Sequence, residues 1–193
     1  MSAAGRNLAG GANPGGDIPD SPTSGEVNPA TSLHTVYLGF GSNIAPEANL
    51  PEALEQLAQV VTILSVSTTW QTPAVGSPGP DYLNTAVSIR TSLSREDLKI
   101  RVIRPIEEGL GRVRTADKNS PRTIDIDILV NETEGETTLV DPSLWSDAHK
   151  AVPLAELIPG YQNAEGNLTL AQAAEQLKLT ARVTPRPEVL PQR

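Results

Sequence analysis

The sequence predicts an α+β fold of the ferredoxin-like type, in which a βαββαβ order builds one sheet with helices packed against it. Two patterns predict this class. Segments in which apolar residues alternate at strand spacing occur in turn with segments that repeat at helical spacing. No internal repeat interrupts this order, and 193 residues are enough for one domain with spare length.

The composition changes at both ends of the chain. Residues 1–34 contain 6 Gly, 4 Pro and 4 Ser without helical or strand periodicity, which predicts a disordered N-terminal extension. Residues 180–193 hold 3 Pro and 3 Arg without a clear pattern and are predicted to form a loose C-terminal tail. Residues 35–179 are therefore expected to carry the fold, at the usual size of one domain.

The first half of this domain has the pattern strand, helix, strand, strand. Residues 35–40 alternate and predict the first strand, and apolar positions within residues 50–61 recur at helical spacing. Residues 62–70 are rich in β-branched side chains and predict the second strand. After a loop over residues 72–80 that is rich in proline, residues 82–91 alternate again.

The second half begins with a helix. Ser94 is a cap residue followed by acids, and an apolar stripe continues to Ile106. Pro105 lies within that stripe and is expected to kink or end the helix. The remaining predicted elements are a strand over residues 123–130, a short strand over 137–140 and a helix over 169–179.

The overall composition excludes several kinds of chemistry. The chain has no Cys and 2 His, which excludes disulfides, thiol catalysis and cysteine-ligated zinc. It carries 15 Lys and Arg against 23 Asp and Glu, and a net charge of −8 argues against nucleic-acid binding by general charge attraction. No apolar run approaches the roughly 20 residues of a membrane span. Any chemistry must therefore rest on carboxylates, arginines, hydroxyls and amides.

Six basic residues fall within one window of 22 residues that holds three acids: Arg101, Arg104, Arg112, Arg114, Lys118 and Arg122. A basic loop on an acidic protein indicates a local anion site, because guanidinium groups offer fixed forks of donors that fit phosphate oxygens. The alternative is a solvated loop that balances the acidic surface.

Asp125 and Asp127 are two residues apart on a predicted strand, so their carboxylates share the face opposite the neighbouring isoleucines. An acidic pair with oxygen donors only suits Mg²⁺, which keeps waters and takes substrate phosphates as further ligands. Together with the basic window, the pair predicts a magnesium–nucleotide site. Two surface acids on a half-exposed strand are the alternative.

A third candidate patch joins Thr72 and Pro73 to Tyr82 and Asn84, of which the last two share one strand face. A ring for stacking and an amide with a donor and an acceptor suit a flat heterocycle. An ordinary core tyrosine and a strand-edge asparagine would have the same spacing. His149 by itself indicates no more than a surface or partner contact.

Taken together, these motifs resemble the family of 6-hydroxymethyl-7,8-dihydropterin pyrophosphokinases, enzymes of folate biosynthesis, over about residues 35–160. The matching residues are Gly41-Ser-Asn43, Thr72-Pro73, Tyr82-Leu-Asn84, Ile106-Glu107, Gly111-Arg-Val-Arg114, Pro121-Arg-Thr-Ile-Asp-Ile-Asp127 and Pro153-Leu-Ala-Glu-Leu-Ile-Pro159.

The resemblance implies a cytoplasmic diphosphokinase that moves the β,γ-pyrophosphoryl group of ATP to the hydroxymethyl oxygen of a reduced pterin and releases AMP. It implies two Mg²⁺ on Asp125 and Asp127, with these aspartates, Arg112 and Arg122 as catalytic residues. The implied ATP contacts are Glu107, Arg112, Arg114, Lys118, Arg122 and Ile128, and the implied pterin contacts are Thr72, Pro73, Val75, Tyr82, Asn84 and His149. We expect a monomer whose partners are ATP and the pterin, without nucleic acid or membrane.

The chain departs from the family pattern in the later part of the site. Asn119-Ser120 stand where the family has Trp-Gly, and an ungapped alignment puts Asp141 and Asp147 at a nucleotide-contacting His and an Arg. His149 then takes the place of the second pterin-stacking ring, and Lys150 is a candidate to replace part of the lost positive charge. These departures leave a non-catalytic or substrate-altered binding module as one alternative, and an α+β protein-interaction module as another.

Overall fold

The computed structural model describes residues 32–74, 79–113, 120–134 and 136–190. Its strands are β1 (His34–Ser42), β2 (Thr62–Val66), β3 (Trp70–Thr72), β4 (Tyr82–Thr91), β5 (Asp125–Thr133), β6 (Glu136–Leu139) and β7 (Thr184–Pro185). Its α-helices are α1 (Pro46–Ala58), α2 (Arg95–Leu98), α3 (Arg104–Gly109), α4 (Ala148–Leu157) and α5 (Leu170–Thr180). Within these ranges no helix is both long and apolar enough to cross a membrane.

All strands form one antiparallel sheet in the order β6-β5-β1-β4-β3-β7, and β2 also pairs with β4. Strands β2 and β3 thus lie one after the other along the same side of β4. With that pair counted as one strand, the βαββαβ order and the ferredoxin-like α+β class are confirmed.

The strand predicted over residues 62–70 is divided in two. The Oγ of Ser67 accepts a hydrogen bond of 2.8 Å from the Ala86 N–H, so a side chain takes a place that backbone groups fill in a regular ladder. The register of β2 against β4 also shifts between Ile63 and Ser65. Both irregularities bend the segment, and β3 begins again at Trp70 beside the site.

Helices cover both faces of the sheet. Alternating residues of β1 divide between the two layers, with Leu38 and Phe40 buried against α1 and the α2–α3 helix, and Tyr37 buried against α4 and α5. Burial of these apolar side chains supplies the main driving force for folding.

Pro105 perturbs its helix as predicted, but the chain continues through it. Residues Lys99–Ile103 form a π-helical segment, and the Arg104 N–H donates to the Lys99 carbonyl. This wider turn lies directly before Pro105, whose ring tolerates the first turn of the following α3. Helix α4 was not evident from the sequence, because Pro153 lies inside it.

The prediction of a loose tail after residue 179 is wrong for residues 181–190. Strand β7 pairs with β3, and Leu190 is buried. Periodicity does not predict this structure, because β7 has two residues and Leu190 is a single buried residue, so no repeating pattern arises. Residues 1–31 lie outside the described ranges, so the disordered N-terminal extension stays a prediction.

Candidate functional site

The pairing of β1 with β5 sets the position of the two aspartates. Asp125 lies opposite Gly41 and Asp127 lies opposite Gly39. Paired residues of neighbouring strands share one face, and the glycines have no side chains there. The carboxylates therefore stand beside two β1 residues that have no Cβ, although the Leu129 side chain covers part of Gly39, while Ile124 and Ile126 are buried in the core beneath.

The first of two clefts opens over β1, β3 and β4 and has a volume of about 210 Å³. Five of the six residues predicted to contact a heterocycle line it: Thr72, Pro73, Tyr82, Asn84 and His149. The sixth, Val75, lies outside the described residues. The remaining lining residues are Gly39, Phe40, Gly41, Arg122, Asp125, Asp127 and Lys150.

Asn84 has its side-chain amide fixed within the wall of this cleft. Its Nδ2 donates to Thr72 Oγ1 at 3.0 Å and to the Trp70 carbonyl at 3.3 Å. A methyl group in place of the Gly41 hydrogen would lie 3.2 Å from Asn84 Oδ1, so this oxygen faces the space above Gly41. The cleft thus offers an oriented acceptor, and Gly41 keeps the room in front of it.

The second cleft lies between β5 and the helical segment that starts at Arg95, and its volume is about 460 Å³. Four basic residues line it: Arg95, Lys99, Arg104 and Arg112. Apolar walls come from Ile103, Ile126, Ile128, Val140 and Pro142, and acidic groups from Glu96, Glu107 and Asp141. This combination of apolar walls and cations suits a molecule with a flat ring and phosphates.

Asp125 and Asp127 line both clefts, and among the described residues they alone do so. The aspartate pair is therefore the shared wall between a smaller cleft lined by several ring-bearing residues and a larger one lined by apolar walls and both basic and acidic side chains. A group held at this wall touches the contents of both clefts.

Arg112 and Arg122 approach Asp125 from opposite sides. Arg112 pairs with Asp125 at 2.5 Å and also with Glu107, whereas Arg122 pairs with the other carboxylate oxygen of Asp125. Glu107 is 2 % exposed and also accepts a 3.0 Å hydrogen bond from the Ile126 N–H. This buried carboxylate thereby ties the end of α3 to β5 and orients Arg112.

Asn43 holds the backbone that carries Arg122. Its Oδ1 accepts from the Arg122 N–H at 2.7 Å, and the Arg122 carbonyl accepts from the Asn43 and Ile44 N–H groups at 3.1 Å. The turn after β1 and the chain before β5 are thus joined by three hydrogen bonds. Arg122 therefore enters the first cleft from a fixed backbone position.

Lys150 of α4 lies among three carboxylates. Its Nζ is 2.6 Å from Asp141, 3.8 Å from Asp127 and 3.9 Å from Asp147, and it donates to Ser143 Oγ at 2.9 Å. Burial alone would lower the pKa of Lys150, but the hydrogen bond to Asp141 and the nearby negative charges outweigh it and raise that pKa. Lys150 therefore carries its charge at neutral pH, next to the aspartate pair.

The remaining pKa shifts separate charged from neutral groups in the first cleft. Partial burial and the charge of Asp125 raise the pKa of Asp127. Burial and the charge of Lys150 lower the pKa of His149, so its imidazole is neutral at pH 7. Burial also raises the pKa of Tyr82, which stays a neutral phenol. The Tyr82 and His149 rings that line this cleft are thus uncharged.

The donor set of the aspartate pair fits a magnesium ion that takes part of its coordination from a substrate. Both groups are carboxylates, and Asp127 is 50 % exposed. Within the described ranges no cluster of three or more His, Cys, Asp or Glu forms a complete metal cage. Mg²⁺ usually binds through one or two carboxylates with waters and phosphates as the other ligands, so the pair suffices for it.

The described residues among the predicted ATP contacts divide between the two clefts. Glu107, Arg112 and Ile128 line the larger cleft, and Arg122 lines the smaller one. Arg114 and Lys118 lie outside the described residues. The sequence analysis missed Arg95 and Lys99, although their i, i+4 spacing after the Ser94 cap was a usable signal, whereas Arg101 of the basic window pairs with Asp97 on the exposed helix face.

Comparison with protein families finds a match over residues 37–159 to the model of 7,8-dihydro-6-hydroxymethylpterin-pyrophosphokinase. A relative from Synechocystis sp., 2-amino-4-hydroxy-6-hydroxymethyldihydropteridine pyrophosphokinase, is 33% identical over 155 residues. That alignment covers 77% of this chain and 78% of the relative.

Solved structures with a similar fold include the HPPK-DHPS of Plasmodium falciparum with pteroate, at a TM-score of 0.57 and 12% identity. A further HPPK-DHPS, in complex with substrates, has a TM-score of 0.57 and 11% identity. The alignments cover 76% and 77% of this chain, but 42% and 44% of those chains, so this chain spans less than half their length. At this level of identity the likeness concerns the fold.

Replacing Glu107 tests its role as the link between α3 and β5. Glu107→Gln keeps an acceptor for the Ile126 N–H, whereas Glu107→Leu removes it and lowers the free energy of unfolding by about 1–3 kcal/mol more. Urea denaturation of both variants measures the difference. Glu108→Leu, at the exposed neighbouring position, is the matched control. Equal stability of the Gln and Leu variants would contradict the assigned link.

Proposed function

This chain belongs to the 7,8-dihydro-6-hydroxymethylpterin-pyrophosphokinase family, and from that membership we infer that it transfers the pyrophosphoryl group of ATP to 6-hydroxymethyl-7,8-dihydropterin, a step of folate biosynthesis. In this reaction the hydroxymethyl oxygen forms a bond to the β-phosphorus of ATP. The bond between that phosphorus and the oxygen of the α-phosphate breaks, AMP leaves with this oxygen, and the hydroxyl proton is released.

The observation that carries the proposal is the shared wall. A transfer between two substrates requires the donor phosphate and the acceptor oxygen to meet at one point. The larger cleft, which is lined by apolar walls and four basic side chains, suits ATP, and the smaller cleft with the rings of Tyr82 and His149 suits the pterin. Their common boundary at Asp125 and Asp127 is then the place where the pyrophosphoryl group passes.

For the pterin, the smaller cleft offers stacking and one oriented polar group. Tyr82 and His149 present uncharged rings to the cleft, and Asn84 holds an acceptor toward the space above Gly41. A reduced pterin has a flat ring system with amino and amide N–H donors, which matches this set. Thr72 fixes Asn84 and so sets the direction of the acceptor.

For ATP, the arginines at the shared wall supply charge where phosphate charge changes during transfer. Arg112 and Arg122 neutralise Asp125 in this structure. When a nucleotide enters, we propose that their guanidinium groups turn to its phosphate oxygens and release the carboxylate for the metal. Such charged donors stabilise a phosphoryl-transfer transition state more than the ground state.

Asp125 and Asp127 would hold Mg²⁺, two ions by the family pattern. When bound, magnesium neutralises phosphate charge and orients the phosphate chain. The protein's own part is to keep both carboxylates on one strand face and near the arginines. We also propose, from the resemblance to the family, that the enzyme acts as a cytoplasmic monomer.

Lys150 lies close to the two acids that stand at a His and an Arg of the family pattern, Asp141 and Asp147. Asp141 and Asp147 add negative charge near the polyphosphate path, but both lie within 3.9 Å of the Lys150 ammonium group. The lysine offsets these acids and also approaches Asp127 at 3.8 Å. We propose that this charge keeps the site attractive to ATP in place of the lost arginine.

An assay of AMP release from ATP, Mg²⁺ and 6-hydroxymethyl-7,8-dihydropterin tests the function. We expect stoichiometric AMP and pterin diphosphate from the wild type and no turnover after removal of the metal with EDTA. Asp127→Ala should abolish turnover without unfolding the protein, because this side chain is half exposed and contributes no apolar burial. Absence of AMP from the wild type at saturating substrates would refute the proposal, and calorimetric binding without turnover would then favour a binding module.

Replacement of Lys150 tests its electrostatic role. Lys150→Met should raise the KM for ATP by about tenfold, the effect of roughly 1.4 kcal/mol, because Asp127, Asp141 and Asp147 then lose the cation that lies within 3.9 Å of each. Lys150→Arg should stay near the wild type. Lys178→Met removes another paired lysine, whose Glu175 partner is 2.9 Å away, outside the lining of both clefts. A KM for ATP equal in the Lys150→Met and Lys178→Met variants would contradict the role.

A further inference from the structure

The last described segment, residues 181–190, wraps around one edge of the sheet. We call it the C-terminal strap. Its beginning packs with Ala181 and Val183 on the α4–α5 side, and Val189 packs against the core on the opposite side. Leu190, at its end, is 6 % exposed. The strap lies beyond residue 159, where the match to the family model ends.

Backbone hydrogen bonds fasten the strap to β3. Thr184 pairs with Gln71 and Pro185 with Trp70, and the Arg186 N–H donates to the Thr69 carbonyl at 2.7 Å. The strap thus covers an edge that would otherwise present unpaired backbone groups. Edge cover alone would need only these backbone bonds.

The strap also makes a chain of side-chain hydrogen bonds that runs toward the smaller cleft. Arg186 Nη1 donates to Gln71 Oε1 at 2.7 Å, and Gln71 Nε2 donates to Asp81 Oδ2 at 2.8 Å. Arg182 Nη2 reaches the same Asp81 oxygen at 3.2 Å. Two strap arginines are therefore linked to Asp81, one directly and one through Gln71.

Gln71 and Asp81 lie near the two ends of the segment that joins β3 to β4. Gln71 immediately precedes Thr72, and Asp81 immediately precedes Tyr82. Thr72 and Tyr82 both line the cleft, and they pair with each other in the β3–β4 ladder. A bond between Gln71 and Asp81 therefore joins these two ends directly behind two pterin-facing residues.

We propose that the C-terminal strap positions the pterin wall, with Arg186, Gln71 and Asp81 as positioning residues that hold Thr72 and Tyr82 in register. This role rests on the proposed function. The strap determines how well the smaller cleft is preformed, and thus the affinity for the pterin. None of the hydrogen bonds described links the strap to a residue that lines the larger cleft, so ATP binding should be independent of the strap.

The test compares steady-state kinetics of Arg186→Ala and Gln71→Ala with the wild type. Each variant should raise the KM for the pterin by about two- to tenfold, the range that corresponds to a lost hydrogen bond of ordinary strength. The KM for ATP and kcat should change less than about twofold, which is within the scatter of such comparisons. The pair Asp81→Asn and Asp81→Ala adds a graded readout, because asparagine retains an acceptor for Gln71 and should stay closer to the wild type.

Arg101→Ala is the matched control, since it also removes an arginine paired with an acid, Asp97 at 3.1 Å, outside the lining of both clefts. A pterin KM of the Arg186 and Gln71 variants equal to that of Arg101→Ala would overturn the proposal. So would parallel increases in the KM of both substrates. If Arg186→Ala does not fold, Gln71→Ala decides, because it leaves the backbone pairing of the strap in place.

Amide hydrogen exchange separates the strap proposal from the proposed function. In the absence of substrates, Gln71→Ala should speed exchange at Tyr82 and Leu83, relative to Arg101→Ala, if the strap holds the two ends of the β3–β4 segment. If exchange is faster in Gln71→Ala but the wild type releases no AMP, the proposed reaction is refuted and the role of the strap in holding this wall is supported. Unchanged exchange with an active wild type would refute the strap alone.

Discussion

The register between β1 and β5 is the constraint on which the site depends. It sets Asp125 opposite Gly41 and Asp127 opposite Gly39, so that the two carboxylates stand beside residues that have no side chain. A slip by one residue would turn both acids into the apolar core and the isoleucines outward. Burial of Ile124 and Ile126 excludes that slip, and the hydrophobic core therefore determines where the acidic pair lies.

The charges of the site are arranged in compensating groups. Asp125 is paired with Arg112 and Arg122, and Asp127 lies 3.8 Å from Lys150, so three cations offset part of the repulsion between the two acids. These cations are also the groups that phosphates attract. The same cations that pair with these acids thus provide donors for a polyphosphate. Lys150 shows how the chain retains this balance despite the acidic residues at 141 and 147.

The sequence predicted the features that depend on local pattern. It did not predict those that depend on contacts between segments far apart in the chain. The alternation of residues predicted which sheet face each of the residues from Ile124 to Asp127 occupies. It did not predict the β-bulge at Leu129, an extra residue in the pairing of β5 with β1. This bulge brings both Leu129 and Val130 against α4 and α5. Helix α4 was not predicted because Pro153 lies inside it, and the strap was not predicted because β7 has two residues. The family motif predicts five of the residues that line the smaller cleft, whereas the position of Lys150 among three acids becomes evident only from the fold.

The central claim is that one aspartate pair forms the boundary of both substrate clefts. Paramagnetic relaxation by Mn²⁺ tests it most directly, in a complex with a non-hydrolysable ATP analogue and the pterin. The account predicts that Mn²⁺ broadens the proton resonances of the pterin as well as those of the nucleotide, and that Asp125→Asn with Asp127→Asn abolishes both effects. Broadening of the nucleotide alone, in a complex where the pterin is shown to be bound, would contradict the account.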